Sequence, residues 1–202
     1  GSAEFENVRI RGTLSTAVFE KETVNAVGGQ LYVANSTTYT GSVALSATAT
    51  TMSVANVGGF TGSYDNNNGE ILAVKKVSNT GFSTEYMLVQ SASKDIPSSE
   101  VDLRGKLYVV RGYSGSAPQS TNFLGDLASS AQTYESGQVI VSTGRPETGY
   151  IRLNANPNDT TTPYIDIVER TGSAIYDVEL KARLGDLSGL SSGLLYGNTT
   201  PG

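Results

Sequence analysis

The 202-residue chain contains no histidine, no cysteine and no tryptophan. Without His and Cys it lacks the side chains that titrate near neutral pH, serve as thiol nucleophiles and bind soft metals. Carboxylates, lysines, tyrosines and hydroxyls remain for chemistry, so the expectation is a protein that is not an enzyme, with no catalytic residues, no cofactor and no metal. The absence of Cys excludes disulfides but leaves the compartment open, because oxidising surroundings permit disulfides without requiring them. Long apolar runs are missing too. Nothing approaches the 18 or more residues of a membrane-spanning helix, and the first residues lack the charged-then-apolar layout of a signal peptide, so no membrane insertion is expected. Charge is sparse at 16%, the net charge is −5, and basic residues stand singly or in pairs such as Lys75-Lys76. Nucleic acid finds no basic footprint here and is not an expected partner.

What the chain does hold is glycine (23), tyrosine (11) and many Ser, Thr and Asn residues, with an ordinary 38% of hydrophobic side chains. Low charge with that apolar content points to a folded chain rather than a disordered one. The hydrophobic period is two, in short runs rich in Val, Ile, Tyr and Thr between turn-forming clusters. Strands are predicted over 5–10, 14–21, 30–34, 50–54, 70–77, 84–91, 106–113, 138–142, 150–154, 164–169 and 175–183. One short helix is predicted over 123–132, with Asn122 as N-cap. Gly28-Gly29, Gly58-Gly59, Asn79-Thr80-Gly81 and Gly144-Arg145-Pro146 supply the reversals. Asp65-Asn66-Asn67-Asn68-Gly69 resembles a calcium loop but places its glycine at position five instead of six and has no Glu at twelve, so it reads as a polar hairpin tip.

Composition divides the chain into an extended N-terminal β segment (1–48), a compact small β domain (49–146) and a C-terminal β segment (147–202). The fold expected is all-β, a small barrel-like or curled antiparallel sheet flanked by extended segments that pack in an oligomer. The flanking blocks, 3–34 and 147–184, carry apolar strand positions with too little sequence to build a second independent core. Their faces are expected to meet each other or another copy of the chain. Gly1-Ser2 and Thr200-Pro201-Gly202 suggest a piece of a longer polypeptide.

Two stretches carry a family likeness. The first is Phe5-Glu6-Asn7-Val8-Arg9-Ile10-Arg11-Gly12-Thr13-Leu14 with its continuation from Val18 to Ala34. The second is Gly149-Tyr150-Ile151-Arg152-Leu153-Asn154-Ala155, Pro163 to Arg170, and Ala182-Arg183-Leu184-Gly185-Asp186-Leu187-Ser188-Gly189-Leu190. Here the chain resembles a module of bacteriophage tail-fibre and tail-tip structural proteins, notably of marine and cyanobacterial phages. The resemblance implies a β-rich virion component in the phage tail, extracellular, homo-oligomeric with a trimer favoured, lying between other tail proteins and the host surface, and bringing no catalytic residues.

Three alternatives stand beside it. A polysaccharide-degrading tail spike would need a carboxylate pair, and Asp166, Glu169, Asp177 and Glu179 are the candidates. Strand alternation puts Asp166 with Tyr164 opposite Ile165 and Ile167, and a solvated strand face is the expected setting for these acids. Arg9, Arg11, Arg152, Arg170 and Arg183 are expected to pair with Glu6, Glu20, Glu22, Asp166 and Glu179 across strands or between subunits, where each exposed pair contributes about 0 to 1 kcal/mol. An extracellular filament subunit would polymerise helically by donating residues 3–34 to a neighbour's sheet edge. A host-adhesion module would touch a surface glycan or protein. Most tyrosines are expected in core or interface, leaving Tyr39, Tyr64 and Tyr113, in or near loops, as receptor-contact candidates.

Overall fold

A computed structural model describes residues 25–27, 29–63, 68–78, 81–114, 128–156, 161–188 and 190. Among them the protein is all-β, in two antiparallel sheets. The strands are β1 (Asn25–Val27), β2 (Gln30–Val33), β3 (Ser36–Thr38), β4 (Thr51–Val54), β5 (Ile71–Ser78), β6 (Gly81–Lys94), β7 (Gly105–Val110), β8 (Ala128–Ser129), β9 (Val139–Ser142), β10 (Gly149–Asn154), β11 (Tyr164–Arg170) and β12 (Val178–Gly185).

The larger sheet runs β3-β9-β5-β6-β7-β4, and β8 adds to β6 in parallel. Its two ends come back together. Tyr39 and Val54 form an antiparallel bridge, the Thr40 N–H donates to the Ser53 carbonyl at 2.9 Å, and the Ala55 N–H donates to Thr38 at 3.0 Å. The result is a nearly closed six-strand barrel, which removes most of the exposed edge that an open sheet would present. Alternation fills its interior: on β7 Leu107 and Val109 point in while Lys106, Tyr108 and Val110 point out. The core gathers Leu45, Met52, Phe60, Leu72, Val74, Met87, Val89, Tyr134 and Ile140 with these two.

One end of the barrel is tied by a buried ion pair. Glu85 accepts from Arg111 Nε at 2.7 Å and Nη2 at 3.0 Å, and also from the backbone N–H groups of Gly112 and Gln132. Arg111 spends its other donors on the carbonyls of Ser46, Ala49 and Gln132. A buried charge is tolerable when it is paired and its remaining donors are satisfied, and both conditions hold. The same contacts correct the predicted helix over 123–132. Residues 123–127 lie outside the described residues, Ala128–Ser129 pair with β6, and Gln132 is in no helix, its N–H donated to Glu85 and its carbonyl accepting from Arg111.

The second sheet has the order β1-β2-β10-β11-β12. It joins the two flanking blocks of the sequence, since β2 pairs with β10 from Val33↔Ile151 to Gln30↔Asn154. The chain crosses from this sheet to the barrel between Val33 and Ser36, ahead of the boundary at 48 expected from composition, because Ser36–Thr38 pair with β9. It returns between β9 and β10. The predicted strands 5–10 and 14–21 lie outside the described residues. The predicted strand 175–183 starts later, at Val178, because the Asp177 carboxylate accepts the Ala174 N–H at 2.9 Å and folds 174–177 into a turn.

That turn fastens the sheets together. Ile175 and Tyr176 pack with Ile71, Tyr86 and Leu88 on the outside of the barrel, and Tyr113 donates its hydroxyl to the Ser173 carbonyl at 2.6 Å. Arg170, fully buried, donates to the carbonyls of Thr143, Ala174 and Ile175 and to the Thr143 hydroxyl. Further along, Lys75 of β5 donates to Gln30 Oε1 at 2.7 Å and lies 5.6 Å from the Tyr32 ring.

Candidate functional site

The two faces of the second sheet reverse the usual assignment of polar and apolar side chains. Along β11, Tyr164, Asp166, Val168 and Arg170 are buried while Ile165 and Ile167 are 38% and 48% exposed. The register explains the inward face: Arg152 of β10, Asp166 of β11 and Arg183 of β12 stand directly opposite one another. Asp166 therefore lies between two guanidiniums, with Arg152 Nη2 at 2.9 Å and Arg183 Nε at 2.6 Å. The Tyr164 ring lies 3.6 Å from the Arg183 guanidinium carbon, and its hydroxyl is met by Arg152 Nη2 at 3.0 Å and Asn154 Nδ2 at 2.7 Å. Planar guanidiniums suit both partners, pairing with carboxylate and stacking on aromatic rings. Tyr150, Val168 and Leu180 continue this face as an apolar cluster. Burial pushes the Tyr150 hydroxyl well above its ordinary pKa. Arg152 and Arg183 pair with Asp166 across strands as expected, but the exposed setting is corrected: these side chains are buried. Arg170 is likewise buried, held by carbonyls and a hydroxyl.

The outward face is apolar. Register places Leu31, Leu153, Ile165 and Leu184 in one row across β2, β10, β11 and β12, and Val33, Ile151, Ile167 and Ala182 in the next. Val33 is 49% exposed, Ile151 36% and Leu184 74%. The first row floors a groove of about 560 Å³, completed by the strand ends at Gly29, Ala155, Pro163 and Gly185. Beyond the second row the face turns polar, where Lys181 bridges Glu169 at 2.8 Å and Glu179 at 2.6 Å. Single exposed apolar residues are ordinary on protein surfaces, whereas these form a contiguous block across four strands.

Each of the four carboxylates considered for catalysis has a partner. Asp166 is fixed between arginines, Asp177 holds a turn, and Glu169 and Glu179 share one lysine. Among the described residues no three His, Cys, Asp or Glu side chains converge as metal ligands do.

Of the receptor-contact candidates, Tyr39 is corrected: its ring is 5% exposed in the barrel core and its hydroxyl donates to the Val43 carbonyl, leaving no free ring face for a sugar. Tyr113 is half-buried at the junction of the two sheets, where burial raises its pKa and its hydroxyl is committed to Ser173. Tyr64 lies outside the described residues. Sequence reasoning missed the outer apolar rows as a unit, although their signal, alternation in four separate strands, was present. Comparison with protein-family models, with curated proteins and with solved structures yields no match.

Proposed function

We propose that this chain is a non-enzymatic, self-associating structural module of a bacteriophage tail fibre or tail tip, linking the virion to the host surface. The observation that carries the reading is the apolar outer face of the second sheet, ordered by strand register and left open to solvent by the single chain. Such a face calls for a partner of the same character. Two buried arginine and carboxylate clusters fix the strands beneath and beside it, as a rigid rod component requires. The carboxylates that a polysaccharide hydrolase would need are engaged in structural contacts instead. The likeness of 5–34 and 149–190 to tail-fibre modules supplies the virion setting, with other tail proteins and the homotrimer as its assembly context.

Two measurements test this reading. Antibodies against the chain should decorate phage tails in electron micrographs, and the purified chain should sediment as a finite oligomer, a trimer of the 21.1 kDa unit. Label absent from tails removes the virion assignment, and a monomer at all concentrations removes the self-association. Mass that grows without limit with concentration favours the strand-donating filament instead.

A further inference from the structure

We infer that Asn68 is a self-modifying position: its side-chain amide is lost to attack by the Gly69 backbone nitrogen, which turns the residue into isoaspartate and aspartate as the folded protein ages. The inference is independent of the tail-fibre reading. Asn68-Gly69 is the single Asn-Gly pair in the sequence, and it ends the polar run Asp65-Asn66-Asn67-Asn68-Gly69. The reaction closes a succinimide ring on the nitrogen of the following residue, and a following residue without a Cβ hinders that closure least. The fold leaves this pair open to the reaction. Asn68 is exposed on the connection from β4 to β5. Gly69 packs so closely that a Cβ there would run into the Val89 carbonyl oxygen, so the position is reserved for glycine. The Gly69 N–H has no acceptor among the described residues, whereas the nearby N–H groups of Ser63, Glu70 and Ile71 donate to the carbonyls of Val89, Thr61 and Gly144. A backbone donor without a protein acceptor is left to water, which can carry off its proton.

Other asparagines are held back. Asn35 Nδ2 donates to the Gly58 carbonyl, Asn56 Oδ1 accepts the Gly58 N–H, and Asn154 is buried with Nδ2 on the Tyr164 hydroxyl. The residues that follow them, Ser36, Val57 and Ala155, each carry a Cβ. At Asn68 the Gly69 nitrogen bonds to Cγ, the Cγ–Nδ2 bond breaks, and the amide leaves as ammonia with the Gly69 proton. Water then opens the ring at either carbonyl, giving aspartate or isoaspartate, with nothing oxidised or reduced. Both products set a new carboxylate beside Glu70, and isoaspartate also lengthens the main chain by a methylene just before β5. Glu70 is where this is felt: its buried carboxylate accepts the Thr61 N–H at 3.1 Å and the Ser142 hydroxyl at 3.0 Å, and its backbone pairs with Thr61 and Val89. A second negative charge next to it weakens that hold.

The test keeps the purified full chain folded and warm at neutral pH, withdraws samples over time, and locates the products by peptide mass spectrometry. Asn68 is expected to exchange its amide for a hydroxyl roughly tenfold faster than Asn35, Asn56 or Asn154. The product should accept a methyl group from an isoaspartyl methyltransferase. Hydrogen exchange at the Thr61 and Ser63 amides, held by Glu70 and Val89, should quicken in the aged wild type and stay unchanged in Asn68→Gln aged alongside it. Conversion at Asn68 no faster than at the other asparagines overturns the site. Aspartate without isoaspartate overturns the ring route, and equal exchange in the aged wild type and variant overturns the effect on the barrel.

Discussion

Glu85 and Arg111 meet where solvent cannot reach them, with side chains 0% and 5% exposed. Each is held by the other and by nearby backbone, with the Tyr134 ring 5.7 Å from the guanidinium, so removing one strands the other. Glu85→Ala is expected to lower the unfolding free energy by about 3 to 5 kcal/mol, measured by urea denaturation, because an uncompensated guanidinium then remains buried. A loss below about 1 kcal/mol would contradict the burial. Glu70 behaves differently. Burial raises its pKa above the ordinary 4.5, opposed by the Thr61 N–H, the Ser142 hydroxyl and Arg145. A carboxyl with a raised folded-state pKa ionises first in the unfolded chain, so folding loses stability as pH rises from about 4.5 to the folded-state value and stays level above it. The difference in stability between wild type and Glu70→Gln should therefore shift against wild type across that window. A difference independent of pH, or one of opposite sign, would rule out the desolvated carboxylate.

At the scale of elements, Arg152, Asp166 and Arg183 tie β10, β11 and β12 in one register. Asp166→Asn should cost about 3 kcal/mol or more, several times what Lys181→Ala costs, since the first leaves two buried guanidiniums underpaired and the second breaks a half-exposed bridge. Chemical denaturation of the two variants side by side checks this ratio, and equal losses would contradict it. The long strands were legible in the sequence because alternation and turn residues agree there. β3 was not, since Ser36-Thr37-Thr38 shows no apolar period and gains its place only by pairing with β9 a hundred residues on. Hydrophobicity also could not say which face of β11 is inside. Ile165 and Ile167 look like core and Asp166 like surface, yet the guanidinium pairing and the contacts to the barrel through Arg170 turn the polar face inward. For the same reason the candidate site was hidden: its residues lie on four strands that only the register assembles. Tyr39 was misplaced because it follows a strand too polar to predict and closes the barrel.

For the molecule as a whole, the barrel satisfies its own edges and core, whereas the second sheet satisfies only one of its faces. A single chain is thus finished on one side and unfinished on the other, and this asymmetry is what the tail-fibre reading explains. Association should follow the hydrophobic signature, with a negative heat-capacity change on assembly and little response to added salt, because apolar surface is buried and few charges are moved. Strong weakening by salt would point instead to charge-driven pairing. The most direct test is the mass of the purified full chain in solution by sedimentation equilibrium over a wide concentration range. A discrete species at three times the chain mass, lost on Ile167→Asp, is the predicted result, and a monomer at every concentration would contradict it.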